Sequence, residues 1–169
     1  MSDRPASVLV VCTGNICRSP TGEGVLRERA KQRGLAHLVN VASAGTHGYH
    51  VGEPPDPRAI DHAARRGYDL SVQRAAQVTR KDFESYDYIL AMDRGHLRLL
   101  RGMQPRGSRA RLGMFLEPSR RWRGEDVPDP YDGGPEDFEL VLDMVEDAAD
   151  RWLDRIESES DPAKFKLRG

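Results

Sequence analysis

The 169-residue chain predicts an open α/β sandwich built around a parallel sheet. Two observations point there. Short apolar runs occur without polar alternation, as in strands buried on both faces, and segments of helical pattern lie between them. Size is a third. One domain with a single core accommodates this length, and no internal repeat or linker divides it.

Residues 7–12, SVLVVC, are the first such run and the first expected strand. After the loop TGNICR, Ser19 is expected to cap a helix, with Pro20 at its first position and Glu23 near its start. That helix should reach about Arg33 and stop at Gly34. Gly22 and Gly24 weaken it, and propensity alone does not explain them. LVNVASAG reads as a second strand ending at Ser43. The stretch GTHGYHVGEPPDP is irregular, and Asp56 with Pro57 then opens a helix through Ala59, Ile60, Ala63 and Ala64 to near Gly67. YDYILAM predicts a third strand, Asp93 to about Leu100 a helix, and RLGMFL a fourth strand. From Glu136, the residues Phe138, Val141, Leu142, Val145, Ala149, Trp152 and Ile156 keep the spacing of a long amphipathic helix. Residues 1–157 are assigned to one domain and 158–169 to a flexible C-terminal tail.

Composition narrows the classes. Charged residues make up 31% and mean hydropathy is -0.66. No run approaches the roughly 18–20 apolar residues of a membrane span, so membrane insertion is not expected. The opening MSDRPASVLVVC shows no cleavage-like site, so a cytoplasmic location is expected rather than export. Cys12 and Cys17 are too few for a secreted disulfide framework. Net charge is -1, unevenly spread: Arg94 to Arg123 holds nine arginines and one acid, Glu117, while Glu125 to Asp161 holds fifteen acids against Arg151 and Arg155. No aromatic-interleaved motif accompanies the arginines, so no nucleic-acid partner is expected.

The chemistry concentrates in VCTGNICRS. A loop between a strand and a helix N-terminus gathers unpaired backbone N–H groups, and with the helix dipole it makes an anion site. Gly14 and Asn15 both tolerate positive φ, which lets the loop curl. Arg18 adds a planar fork for two phosphate oxygens. The field of this cradle favours the thiolate of Cys12, the nucleophilic form, and Ser19 can donate to that sulfur. A thiolate beside a bound tetrahedral oxyanion calls for displacement at phosphorus through a phosphocysteine. The loop is not a Walker motif, since no G-K-[ST] follows. Nor does the C-x4-C spacing fit CxxC redox or zinc chemistry. A buried cysteine ending a strand would account for Cys12 but not for Gly14, Asn15, Arg18 and Ser19. The leaving group needs an acid, and VPDPYDGG offers Asp129 between two prolines that stiffen its backbone.

CTGNICRS with a distant DPY, joined by SAGT, GEPPDPRA and DYILAMDR, resembles the low-molecular-weight protein tyrosine phosphatases, in a bacterial form. The resemblance spans Val8 to about Ile156. It implies a Rossmann-like three-layer sandwich, a four-stranded parallel sheet flanked by helices, with neither cofactor nor metal. It assigns Cys12 as nucleophile, Arg18 as phosphate-binding arginine and Asp129 as general acid. Thr13, Gly14, Asn15, Ile16, Cys17 and Ser19 form the substrate-binding loop, Ser19 steadying the thiolate and Ser43 supporting a left-handed Asn15. Tyr49 and Tyr131 line the entrance, and Cys17 is the partner for a reversible disulfide with Cys12. The implied substrate is a phosphotyrosine-containing protein, a bacterial tyrosine kinase being one candidate. Gln73 stands where the family often has a histidine bracing the asparagine, and Tyr49 where it often has tryptophan. Ile16 departs from the threonine of phosphoarginine-selective relatives. Arsenate reduction is the enzymatic alternative, but only Cys17 is available as a resolving thiol. A non-catalytic phosphotyrosine-binding or redox-sensing module is the other, and the presence of both Cys12 and Asp129 argues against it.

Overall fold

The computed structural model describes residues 4–160. Four strands, β1 (Ala6–Cys12), β2 (Val39–Gly45), β3 (Tyr88–Ala91) and β4 (Arg111–Met114), form one sheet in the order β2-β1-β3-β4. Every pairing in it is parallel, with Val8 opposite both Val41 and Tyr88. The helices are α1 (Arg18–Gln32), α2 (Pro57–Arg65), α3 (Asp82–Ser85), α4 (Arg94–Met103) and α5 (Pro135–Ser160), with a 3-10 turn at Ala36–Leu38.

The unbroken apolar run of β1 follows from its central position. Side chains alternate between faces along a strand. Val8, Val10 and Cys12 join the core under α1, α2 and α5, with Leu26, Ala63, Val145 and Trp152. Leu9 and Val11 point the other way, to Phe83 of α3 and Leu97 and Leu100 of α4. Both faces are covered, so neither set of positions tolerates polarity. Trp152 also donates from Nε1 to the Phe115 carbonyl at 2.7 Å, which satisfies its one polar atom in the core.

The two glycines of α1 are explained by close packing. A Cβ on Gly22 would lie 2.8 Å from Met92 Cε and 2.9 Å from Val10 Cγ1, and one on Gly24 would lie 2.3 Å from Leu70 Cδ2. The helix rests on the sheet and on Leu70 without room for a methyl group, which outweighs a helix-propensity cost of about 1 kcal/mol per glycine.

Several boundaries differ from the sequence reading. Helix α1 starts at Arg18, and Cys17 is its N-cap residue without a side-chain cap. Ser19, expected as the cap, lies inside the first turn because its hydroxyl is engaged elsewhere. Strand β3 is shorter than YDYILAM, α4 continues to Met103, and the one-turn α3 had no apolar period to announce it. Helix α5 runs to Ser160, so the first residues of the expected tail are helical, and residues 161–169 lie outside the described residues. Glu159 in that last turn pairs with Arg111 at 2.9 Å and accepts from the Tyr88 hydroxyl. Other acids of α5 meet arginines at the ends of neighbouring helices: Arg29 and Arg66 reach Glu146, and Arg33 reaches Asp154.

From β1 the chain passes to β2 on one side and then returns to β3 on the other. The carboxyl end of β1 is therefore where the strand order reverses, the position at which such sheets bind ligands. Cys12 is the last residue of β1.

Candidate active site

The loop from Cys12 to Arg18 is held open from beneath. Asn15 has φ 59°, the only positive value at a non-glycine among the described residues. Its side chain makes that conformation worthwhile: Nδ2 donates to Ser19 Oγ at 2.8 Å and Ser43 Oγ at 2.9 Å, while Oδ1 accepts the Ala76 N–H at 3.0 Å. Ser43 passes its own proton to Glu23 at 2.7 Å. Gln73 makes no hydrogen bond to Asn15; its Nε2 donates to the Pro20 carbonyl at 3.0 Å and its Oε1 lies 3.5 Å from Ser43 Oγ. Gly14, expected to share the positive φ, does not adopt one. A Cβ there would come within 3.0 Å of His50 Cδ2, so its glycine fits a tight approach rather than a turn. Among the described residues, none accepts from the backbone N–H groups of residues 13–18, which leaves them free for an anion.

Ser19 Oγ lies 3.0 Å from Cys12 Sγ. The hydroxyl already accepts from Asn15, so its proton is available to the sulfur, and a hydrogen bond to an anion favours the anion. Cys17 is different. Burial first, then the negative charges of Asp56 and Cys12, push its thiol above the ordinary range. Cys12 thus has a hydroxyl donor at its sulfur, whereas Cys17 is held as a thiol.

Arg18 is buried, at 4% exposure, and its guanidinium is fixed on one edge. Nη1 donates to Asp93 Oδ2 at 2.9 Å and to the Val127 carbonyl at 3.0 Å, which uses both of its hydrogens. Nη2 lies 3.4 Å from Thr13 Oγ1. The Nε–H and a hydrogen of Nη2 remain as the side-by-side pair that matches two oxygens of a phosphate. Burial works to raise the Asp93 pKa, but the His96 backbone N–H and the charge of Arg18 outweigh it and keep the carboxylate ionised below its usual range. Asp93 and His96 were not read from the sequence as site residues. The available signal was topological: both follow β3 at the carboxyl edge of the sheet.

Cys12, Thr13, Gly14, Ile16, Cys17 and Arg18 line a cleft of about 130 Å³ together with Tyr49, His50, Asp129 and Tyr131. Tyr49 and Tyr131 stand at its rim, 72% and 49% exposed. The side chains of Asn15 and Ser19 are buried behind the loop instead. Asp129 Oδ2 is 3.7 Å from Arg18 Nη2, and its Oδ1 accepts the Tyr131 N–H at 3.1 Å in a local turn. Arg58 ties this turn down by donating to the Tyr131 carbonyl at 2.9 Å while it holds Asp56 at 2.9 Å. The Asp56 N–H in turn donates to the Ile16 carbonyl at 2.8 Å, so the acid-bearing turn and the loop share one brace. Asp126 accepts the Arg94 N–H at 3.0 Å, and neither it nor Asp132 lines the cleft.

A thiol at a switch point, a buried arginine fork and free backbone donors define a cysteine-dependent phosphate-monoester hydrolase. The family model described as low molecular weight phosphotyrosine protein phosphatase matches residues 7–161, and the chain belongs to that family. A low molecular weight protein-tyrosine-phosphatase of Streptomyces coelicolor is 46% identical over 145 residues, 84% of this chain and 88% of that protein. A protein tyrosine phosphatase structure from Entamoeba histolytica superposes with a TM-score of 0.87 at 32% identity, covering 92% of this chain and 99% of its own. Wzb of Vibrio vulnificus, solved in complex with benzylphosphonate, is similar at a TM-score of 0.76 and 33% identity, over 89% of this chain and 98% of its own.

Proposed function

We propose that Cys12, Arg18 and Asp129 divide the hydrolysis of protein phosphotyrosine between them. The observation that carries this is their meeting in one cleft, with Asp129 at the open side of the Arg18 fork. The Cys12 thiolate attacks phosphorus in line. An S–P bond forms, the P–O bond to the ring breaks, and its electron pair leaves on the phenolate, which takes the proton of Asp129. Arg18 and the loop N–H groups hold the equatorial oxygens through the transition state. The Asp129 carboxylate then takes a proton from water, whose oxygen attacks phosphorus and releases inorganic phosphate and the thiolate.

The rim supports an aryl ester. Tyr49 and Tyr131 flank the opening with aromatic faces, and Ile16 supplies an apolar wall. A phenyl ring reaches a deep anion site between such walls, whereas a short alkyl phosphate leaves them unfilled. The similar Wzb structure holds a benzyl phosphonate, a ligand of that shape. The substrate is then a phosphotyrosine-bearing protein, with a bacterial tyrosine kinase as one candidate. A mechanism that needs a free thiol suits the reducing cytoplasm. Arsenate reduction is not favoured, since the sequence offers only Cys17 beyond the nucleophile.

The test is release of inorganic phosphate from phosphotyrosine peptides. Cys12→Ser is expected to abolish turnover and to retain binding of the peptide, because only the thiolate is lost. Arg18→Lys is expected to fail as well, since an ammonium lacks the paired donors. Turnover by Cys12→Ser within tenfold of the wild type would remove Cys12 from the mechanism.

A further inference from the structure

We infer that His96 is a positioning residue for the phosphate-binding arginine, acting through Thr13 as a neutral imidazole protonated on Nδ1. The inference rests on the phosphate cradle described above. His96 is buried, at 4% exposure, and touches the loop at one point: its Nε2 lies 2.7 Å from Thr13 Oγ1. Its Nδ1 lies 3.1 Å from Asp93 Oδ1, without the alignment of a full hydrogen bond.

These distances select one tautomer. With the proton on Nε2, the Nδ1 lone pair would face a carboxylate oxygen at 3.1 Å in a buried setting, with nothing to offset the repulsion. With the proton on Nδ1, an N–H faces Asp93 and Nε2 accepts from the Thr13 hydroxyl. The Thr13 oxygen then keeps its lone pairs for Arg18 Nη2 at 3.4 Å. A doubly protonated ring would turn the Thr13 proton away and set a second cation against Arg18. Burial, then the charge of Arg18, oppose that state and push the His96 pKa down to about 4.

Two routes therefore lead from Arg18 to Asp93. One is direct, from Nη1 to Oδ2 at 2.9 Å. The other runs from Nη2 to Thr13 and from Thr13 to His96, whose Nδ1 faces Oδ1 at 3.1 Å as a charge–dipole contact rather than a full hydrogen bond. The contacts of Nη1, to Asp93 and to the Val127 carbonyl at 3.0 Å, fix one edge of the guanidinium but do not hold Nη2. The second pins Nη2, one of the two groups that face the phosphate. His96 touches no reacting atom, so its effect belongs to anion affinity rather than to the chemical step.

The experiment reads the inhibition constant of inorganic phosphate, KM and kcat for p-nitrophenyl phosphate, and the imidazole nitrogen signals. His96→Ala is expected to weaken phosphate and raise KM by about three- to tenfold, the range of one lost hydrogen bond, with kcat changed less. Thr13→Val should do the same, and the double variant should be no worse than either single one. His96→Asn, whose amide can still accept from Thr13, should recover much of the loss. Nitrogen-resolved NMR of the wild type at pH 6 should show a neutral ring with the proton on Nδ1. Additive effects of the two substitutions, or an unchanged phosphate constant in His96→Ala, would overturn the inference. So would a ring protonated on Nε2 or on both nitrogens, and that reading holds even if the alanine variant does not fold. A wild type that neither cleaves the ester nor is inhibited by phosphate would instead overturn the cradle itself.

Discussion

Asn15 Nδ2 donates to Ser19 Oγ at 2.8 Å, and this contact decides where the Ser19 proton goes. With a lone pair engaged, the hydroxyl turns its hydrogen to Cys12 Sγ at 3.0 Å, the Ala44 carbonyl being farther at 3.4 Å. Ser19→Ala should lower kcat/KM for p-nitrophenyl phosphate by about tenfold or more, the worth of a hydrogen bond to a charged group. Asn15→Ala should lose at least as much, because it frees Ser19 and also leaves the left-handed backbone without its anchors. An Asn15→Ala variant that is faster than Ser19→Ala would break the chain of donation.

Asp129, rather than its neighbours, should carry the proton. Asp129→Ala is expected to slow phosphotyrosine hydrolysis by about 10²–10⁴-fold. The loss on p-nitrophenyl phosphate should be smaller, because that phenolate leaves more readily without a proton. Asp126→Ala and Asp132→Ala should leave the ratio between the two substrates nearly unchanged. A larger effect at Asp132 would reassign the acid.

Arg58 holds the turn that bears this acid, through the Tyr131 carbonyl, while its guanidinium sits 5.5 Å over the Tyr131 ring. Arg58→Met keeps bulk and removes the donors. It should reduce kcat on phosphotyrosine by several-fold to about tenfold, the range of a lost hydrogen bond, and spare p-nitrophenyl phosphate. Equal losses on both substrates would mean that Arg58 supports the loop rather than the acid.

Cys17 lines the same cleft as Cys12, which places it to resolve an oxidised Cys12 once it gives up its own proton. Peroxide converts the Cys12 thiolate to a sulfenic acid, and attack by the Cys17 sulfur closes a disulfide with loss of water. Dithiothreitol should then restore nearly all activity to the wild type and progressively less to Cys17→Ser after longer exposure. Full recovery by Cys17→Ser would show that no protective disulfide forms.

His96 also predicts how stability varies with pH. It is neutral in the fold down to about pH 4, whereas in the unfolded chain it takes up a proton below about 6.5. Between those values the unfolded state binds more protons, so stability rises with pH and is lost as pH falls. A shift of this size corresponds to about 3 kcal/mol. Asp93, held below its usual range, adds a further loss at lower pH. Urea midpoints should drop from pH 7 to pH 4.5, and His96→Asn should flatten that slope. An unchanged slope would exclude His96 as its source.

The sequence by itself determined the elements that repeat a local rule. Val8 to Val11 could only be a strand covered on both faces, and the spacing from Phe138 to Ile156 could only be a helix with one buried side. The loop was legible for the same reason: Cys12, Asn15, Arg18 and Ser19 lie within eight positions, so their joint chemistry needs no long-range contact to be recognised. Of what reaches the loop from elsewhere, Ser43 was legible through the family resemblance, and its bond to Asn15 is present. Ala76, Asp93, His96 and Val127 were not, since they lie on separate strands, turns and helices and their spacing along the chain carries no trace of a shared site. Ser19 was read in two ways, as a cap, which is the local use of a serine before proline, and as a donor to the Cys12 sulfur. Only the contact with the sulfur is present. The folded chain turns that hydroxyl to Cys12, since the parallel order β2-β1-β3-β4 brings the ends of three strands around the thiol. With Asn15 donating to the serine oxygen, the sulfur at 3.0 Å is a nearer partner than the Ala44 carbonyl at 3.4 Å.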